Sequence, residues 1–311
     1  MAQSLRKKFE IVFLRGDPDM SSFHPLLKGA IELHCHSYPS LFPRKQTDWE
    51  LIEDVKAAGM AGVVLKAHEA QTVDRATLLR AKEPHLHIYG GLVCNFFTGG
   101  LSPAAVDAAI RLGAKIIWMP TFSSKEHCCH FGQKKTRFFN TQRPLLHPEQ
   151  GLEIWDENRR ILPQVHEILE LIAESNIILA TGHLNPEEVM VLVDAAKEHK
   201  VEKILIQHTD LGIARVPFDL QTELAKKGAL LEKCYLACSG DFNDITVEEM
   251  AESVKRLGVE SCVMVTDYGQ AHNIPPIEAL SNFVGEFLKC GISEPQIERM
   301  IVQNPKHLLG I

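Results

Sequence analysis

From about residue 30 to the end of the chain, short runs of β-branched and aliphatic residues alternate with longer stretches whose apolar positions recur every three to four residues. The short runs suit strands buried on both faces, and the longer stretches suit amphipathic helices. The alternation therefore predicts βα units around a parallel sheet. Eight strands are expected, at roughly 30–36, 62–68, 86–94, 115–121, 177–183, 203–208, 235–239 and 262–267. Several helix starts are marked locally. Thr47 with Glu50 and Thr246 with Glu249 fit the capping box, and Ser102-Pro103 and Asn185-Pro186 place a cap before a first-turn proline. Helices ending at Gly59 and Gly113 lead directly into strands.

Eight such repeats in about 280 residues fit a closed (β/α)8 barrel, the TIM-barrel class, better than an open doubly wound sheet. No Gly-x-Gly-x-x-Gly follows a strand and no P-loop occurs, which argues against a nucleotide cofactor. Residues 1–28 read as an N-terminal extension and 29–311 as a single domain, with no room for an accessory β-sandwich. One interval, about 122–158, has no clear periodicity. It follows the fourth strand and is expected to form a lid over the active face.

Composition narrows the class without changing it. The chain has 311 residues, 45% of them apolar, which suffices for a large core. A formal charge of −7 with no basic block disfavours nucleic acid or an anionic membrane as partner. No stretch approaches the ~18 apolar residues of a membrane span or the core of a secretion signal. The eight cysteines lie partly inside expected strands (Cys35, Cys238, Cys262) rather than in a spaced framework, so reduced thiols in a cytoplasmic protein are expected. A homo-oligomer is allowed by base rates alone.

Barrel enzymes place their chemistry where strands end. Those positions hold His34 and His36 on the first strand, Lys66 and His68 on the second, His183 on the fifth, His208 on the sixth and Asp267 on the last. Residues i and i+2 of a strand share a face, so the imidazoles of His34 and His36 are expected to point together, as half of a divalent-metal site. Five histidines and a carboxylate converging on one rim describe a metalloenzyme. A divalent ion lowers the pKa of bound water to about 7, and a nearby carboxylate can accept the proton released in attack.

The order His-x-His, His, His, Asp over these strands resembles the amidohydrolase superfamily. So does the ending Asn304-Pro305-Lys306-His307-Leu308-Leu309-Gly310. The strings Pro39-Ser40-Leu41-Phe42-Pro43-Arg44, Val64-Leu65-Lys66-Ala67-His68, Trp118-Met119-Pro120-Thr121 and Thr266-Asp267-Tyr268-Gly269-Gln270 look most like a branch related to its phosphotriesterase- and lactonase-like members. The resemblance implies that His34, His36 and Asp267 hold one metal ion. His183 and His208 would hold a second, or contact substrate if one ion binds, and Asp267 would carry the proton from water to leaving group. The sequence departs from the pattern at strand 4, which ends in Met119-Pro120-Thr121 without the bridging lysine or glutamate of many two-metal members. Lys66 and His68 are the available substitutes. Lys66 is read as a carbamylated bridge or as a cation for an anionic substrate, and His68 as a ligand or substrate contact. Barrels of the polymerase-and-histidinol-phosphatase family likewise take a metal-site histidine from strand 2.

Arg44 and Gln270 at the rim are candidate substrate contacts, and Asp210 a supporting residue. Lys125-Glu126-His127-Cys128-Cys129-His130 looks like a zinc knuckle but lacks a Cys-x-x-Cys pair, and is assigned to the lid. The expected activity is hydrolysis of an amide or lactone bond in a small polar molecule, with one or two divalent ions. Zinc is favoured, while manganese, iron, cobalt and nickel suit similar donors. Two alternatives keep the metal: phosphoester hydrolysis, or a non-hydrolytic decarboxylation or other lyase step. A third is a catalytically silent metal-binding barrel.

Overall fold

The computed structural model describes residues 23–131 and 151–311. Residues 1–22 of the expected extension, and 132–150 of the expected lid, lie outside the described residues. Among the described residues there are nine short strands: β1 (Ile31–Cys35), β2 (Gly62–Leu65), β3 (His87–Tyr89), β4 (Gly91–Val93), β5 (Ile116–Trp118), β6 (Ile178–Ala180), β7 (Ile204–Ile206), β8 (Leu230–Cys234) and β9 (Cys262–Val265). All paired strands are parallel, in the orders β1-β2-β3 and β4-β5-β6-β7-β8-β9. The protein is thus α/β, and within each sheet neighbours in sequence are neighbours in space.

The expected third strand is split at Gly90. A Cβ there would lie 2.4 Å from the carbonyl oxygen of Thr72, so the chain passes too close to its neighbour for any side chain. Thr72 bridges the gap by donating to Leu65 O (2.7 Å) and accepting from Gly91 N (3.0 Å). The outer edges, β1 and β9, meet just past their regular ends. There Asp267 N donates to His34 O and His36 N to Tyr268 O, both at 2.8 Å. The carboxylate of Glu32 reinforces this seam by accepting from His34 N (2.8 Å) and Thr266 N (3.1 Å).

Alternation sorts the strand residues into two buried apolar clusters. Val64, Ile116, Trp118 and Val263 belong to one, and Val63, Leu65, Ile117 and Cys262 join the helices in the other. With both faces buried, the strands read as nearly continuous apolar runs. The helices between them are α1 (Asp48–Ala57), α2 (Val73–Lys82), α3 (Pro103–Arg111), α4 (Lys125–Phe131), α5 (Pro163–Ser175), α6 (Pro186–Glu198), α7 (Phe218–Lys226), α8 (Val247–Leu257) and α9 (Pro276–Lys289). Short α10 (Glu294–Glu298) and α11 (Asn304–Leu309) close the chain. Both halves of the capping box are made at Thr47–Glu50, Asn185–Glu188 and Thr246–Glu249.

Two expectations need correction. The seventh strand lies at Leu230–Cys234, and the expected 235–239 contains a 3-10 turn over Tyr235–Cys238. Glu232 and Lys233, both fully buried, broke the apolar pattern and pushed the expected strand downstream. The interval 122–158 is not wholly irregular either, because Lys125–Phe131 forms α4. Among the described residues, no helix is long and apolar enough to cross a membrane.

Candidate metal centre

The strand ends deliver the polar residues. Just beyond β7 and β9 the backbone turns sharply, leaving His208 and Asp267 in the left-handed region, at φ 53° and 56°. Gly269 permits the next close approach, since a Cβ on it would lie 2.0 Å from His36 O. The pairing register of β1 slips between Glu32 and Cys35, and both His34 and His36 then direct Nε2 at one oxygen, Asp267 Oδ1, at 3.0 and 2.9 Å.

The opposite ring nitrogens fix the tautomers. His36 Nδ1 lies 3.0 Å from Lys66 O, a carbonyl that can only accept, so Nδ1 carries the hydrogen. His34 Nδ1 faces both oxygens of Glu232, at 3.0 and 3.1 Å. Burial, helped by Arg44 and Lys66, lowers His36 to about 3, so its ring is neutral and Nε2 bears a lone pair. That lone pair faces a carboxylate oxygen that also only accepts. Two acceptors 2.9 Å apart are stable only with a cation or proton between them.

His34, facing the same oxygen, is tuned the opposite way. Burial opposes its charge, but Asp267 and Glu232 together outweigh burial and hold the ring up to about 9. Burial also opposes the charge on Glu232, yet His34, His208 and Lys66 bring it down to about 2. Asp267 lies well below the usual carboxylate range despite burial, because His34 and His36 adjoin it. His208 is fully buried and lowered to about 4 by burial, and neither of its ring nitrogens has a hydrogen-bond partner among the described residues. They stand 3.6 Å from Glu232 Oε1 and 3.9 Å from Asp267 Oδ2. Within 4.8 Å of one another lie donor atoms of His34, His36 and Asp267, of His34, His208 and Glu232, and of His208, Cys234 and Asp267. Neutral imidazoles, carboxylates and orphaned buried nitrogens suit a divalent cation.

The remaining expected residues surround this cluster. His68 stacks on His36 (4.8 Å between ring centres) and pairs through Nδ1 with Thr121 Oγ1 at 2.9 Å. His183 Nδ1 lies 2.9 Å from Nδ1 of His127, on α4. Neither His68 nor His183 adds an atom to the three donor groups, but both line a cavity of about 290 Å³ together with His36, Asp267, Arg44 and Gln270. Lys66 does not line that cavity. Its amine lies 2.9 Å from His34 Nε2 and 5.6 Å from the centre of the Trp118 ring. Gln270 spends its amide on Asp267 O (2.8 Å) and accepts from Asn273 Nδ2 (3.0 Å), so it braces the loop. Asp210 turns away and pairs with buried Lys233 at 2.9 Å.

Sequence reasoning missed Glu232, Glu32 and Gln207, and placed His127 only within the lid. The available signal for Glu232 was its period-2 spacing from Leu230 and Cys234, which puts it on their face of β8. Gln207 Nε2 adds a contact to Glu232 Oε2 at 3.3 Å.

One family matches this chain, over residues 29–232, a span from the His34 strand to Glu232 itself. The chain belongs to DUF6282, a family of unknown function. No curated protein matches this DUF6282 chain significantly. Solved structures of similar fold include an amidohydrolase from Pseudomonas aeruginosa, at 12% identity and a TM-score of 0.57, covering 91% of this chain and 97% of that one. A lactonase from Listeria monocytogenes aligns at 14% identity and TM-score 0.58, with coverages of 92% and 95%. A 2,6-dihydroxybenzoate decarboxylase from Rhizobium aligns at 12% and 0.54, with 91% and 99%. At such identities the likeness is one of fold alone.

Proposed function

We propose that this protein is a metal-dependent hydrolase that opens an amide or lactone bond in a small molecule, its two sheets closing as one (β/α)8 barrel without an accessory sandwich. One observation carries the reading: the Nε2 atoms of His34 and His36 converge on one oxygen, Asp267 Oδ1, at 3.0 and 2.9 Å, beside buried His208 ring nitrogens that no described residue satisfies, a donor set that suits a cation. His34, His36 and Asp267 would hold the ion, with His208 completing the set. A divalent ion, zinc by preference, would supply Lewis acidity toward a carbonyl and water activation near neutral pH.

The protein's own groups supply the rest. Asp267 keeps Oδ1 between the two imidazoles, so Oδ2 is its proton-carrying oxygen, taking a proton from the attacking water and returning it to the leaving group. His183 and His68, on the cavity wall, would orient the carbonyl oxygen, and His127 fixes the ring of His183. The same carboxylate could instead protonate carbon in a decarboxylation, a reading favoured by the decarboxylase of similar fold.

Elemental analysis of protein purified without added metal, then a screen of lactones, amides, phosphoesters and arenecarboxylates, tests the proposal. About one divalent ion per chain is expected, with turnover of an amide or lactone. In Asp267→Asn turnover should drop at least about 10³-fold with most metal retained. Metal-free protein with no affinity for zinc or manganese would refute the reading.

A further inference from the structure

The cavity beside the cluster is small for a ligand site and its walls are mainly apolar. Phe42, Phe122, Phe131 and Phe242 line it with Ile213. Phe42 packs against Phe122 at 4.8 Å and 61°, and His68 against Phe122 at 4.7 Å and 60°. Rings packed edge to face in this way make an apolar, aromatic wall suited to an unsaturated body, because aromatic pairs favour offset or edge contacts.

The cavity's polar groups are unevenly supplied. Asp267 is engaged by His34 and His36, and Asp241 by His272 Nε2 at 2.6 Å. Arg44 is the only lysine or arginine among the described lining residues. Its Nε donates to Ser40 Oγ (3.2 Å) and its Cζ sits 5.0 Å from the Phe42 ring centre, while its terminal nitrogens make no hydrogen bond among the described residues. Backbone pairing holds it in place: Arg44 bridges to Gln270, and Lys45 N donates to Gly269 O at 2.9 Å. A rigid guanidinium fork with open donors, beside a wall of rings, is built for a planar anion.

We infer that the substrate is a compact carboxylate with a flat, unsaturated body, its carboxylate on Arg44 and its body between the phenylalanine rings. This rests on the cavity being the substrate site of the proposed enzyme, and it narrows the expected small polar molecule to one whose polar groups sit at its ends.

The test is calorimetric binding of benzoate, benzamide, acetate and phenylphosphonate to the purified, metal-loaded protein. Benzoate should bind at least about tenfold more tightly than benzamide, which lacks the charge, and than acetate, which lacks the ring. In Arg44→Gln the preference over benzamide should vanish at unchanged metal content. In Phe242→Leu the preference over acetate should shrink while that over benzamide stays, which keeps a readout if Arg44→Gln misfolds. Equal binding of benzoate and benzamide, or of benzoate and acetate, overturns the inference, as does tighter binding of phenylphosphonate or an Arg44→Gln variant that keeps its preference. Benzoate selectivity in a protein that neither holds metal nor turns over any substrate would leave Arg44 and the rings as a carboxylate-binding site and sink both the hydrolase reading and the substrate assignment.

Discussion

Replacing Glu232 by glutamine separates charge from shape at the centre of the cluster. All groups that meet the carboxylate are donors: His34 Nδ1 at 3.0 and 3.1 Å, Gln207 Nε2 at 3.3 Å and the backbone N of His208 at 3.3 Å. A glutamine has one acceptor oxygen, so its NH2 must confront one of these donors. Turned toward His34, it would push the ring into the tautomer that carries hydrogen on Nε2, the atom needed for a cation. Glu232 titrates at about 2 rather than 4.5, and at 1.36 kcal/mol per unit that difference is roughly 3 kcal/mol. The figure agrees with the ~3–5 kcal/mol typical of breaking a buried pair. The elevation of His34 describes the same contact from its other side and is not added. Loss of such a ligand-orienting carboxylate typically weakens metal binding about 10–100-fold. Urea unfolding of chelated protein at pH 7 and zinc titration against a chromophoric chelator read the two effects. A Glu232→Gln protein that unfolds at the wild-type midpoint and binds zinc within twofold of wild type would refute the role given to Glu232.

Metal-stripped protein should be most stable near pH 6.5. His36 and His208, lowered to about 3 and 4, remain neutral when folded, so stability falls as pH drops below 6.5 and the unfolded chain takes up protons. His34, raised to about 9, contributes stability below pH 6.5 that is lost as pH rises through 9, and Glu32, raised to about 8 by burial, adds to the decline between 4.5 and 8. Stability that climbs from pH 6.5 to 9 in urea melts would contradict these assignments. Lys66→Met should lower metal content if the amine bridges as a carbamate, and unchanged content with an unmodified intact mass would exclude that bridge. Gly269→Ala forces a Cβ onto His36 O and should cost more than about 2 kcal/mol as well as metal affinity, checked by melting and elemental analysis. Lys233→Met leaves Asp210 buried and unpaired and should cost about 3–5 kcal/mol, largely recovered by adding Asp210→Leu, as a double-mutant cycle would show.

Much of the architecture was legible because both strand faces are buried, so β2, β5, β6, β7 and β9 stand out as apolar runs. The His34–His36 pair was legible because spacing on a strand reports direction. Part of what stayed hidden is charge placed where apolarity is expected. Leu230-Leu231-Glu232-Lys233-Cys234 carries its glutamate inward to His34 and its lysine to Asp210, and each neutralises its partner only once the chain has folded. The break at Gly90 was equally invisible, because it depends on how closely Thr72 approaches from another segment.

The left-handed backbone at His208 and Asp267 restricts which amino acids these positions tolerate before any chemistry is considered. Asparagine, aspartate, histidine and glycine adopt that conformation far more readily than other residues. Re-engineering the centre for a different ion by inserting glutamate or cysteine at either place would therefore combine a conformational penalty with the change of donor. Swaps confined to the four tolerant residues would report the donor alone.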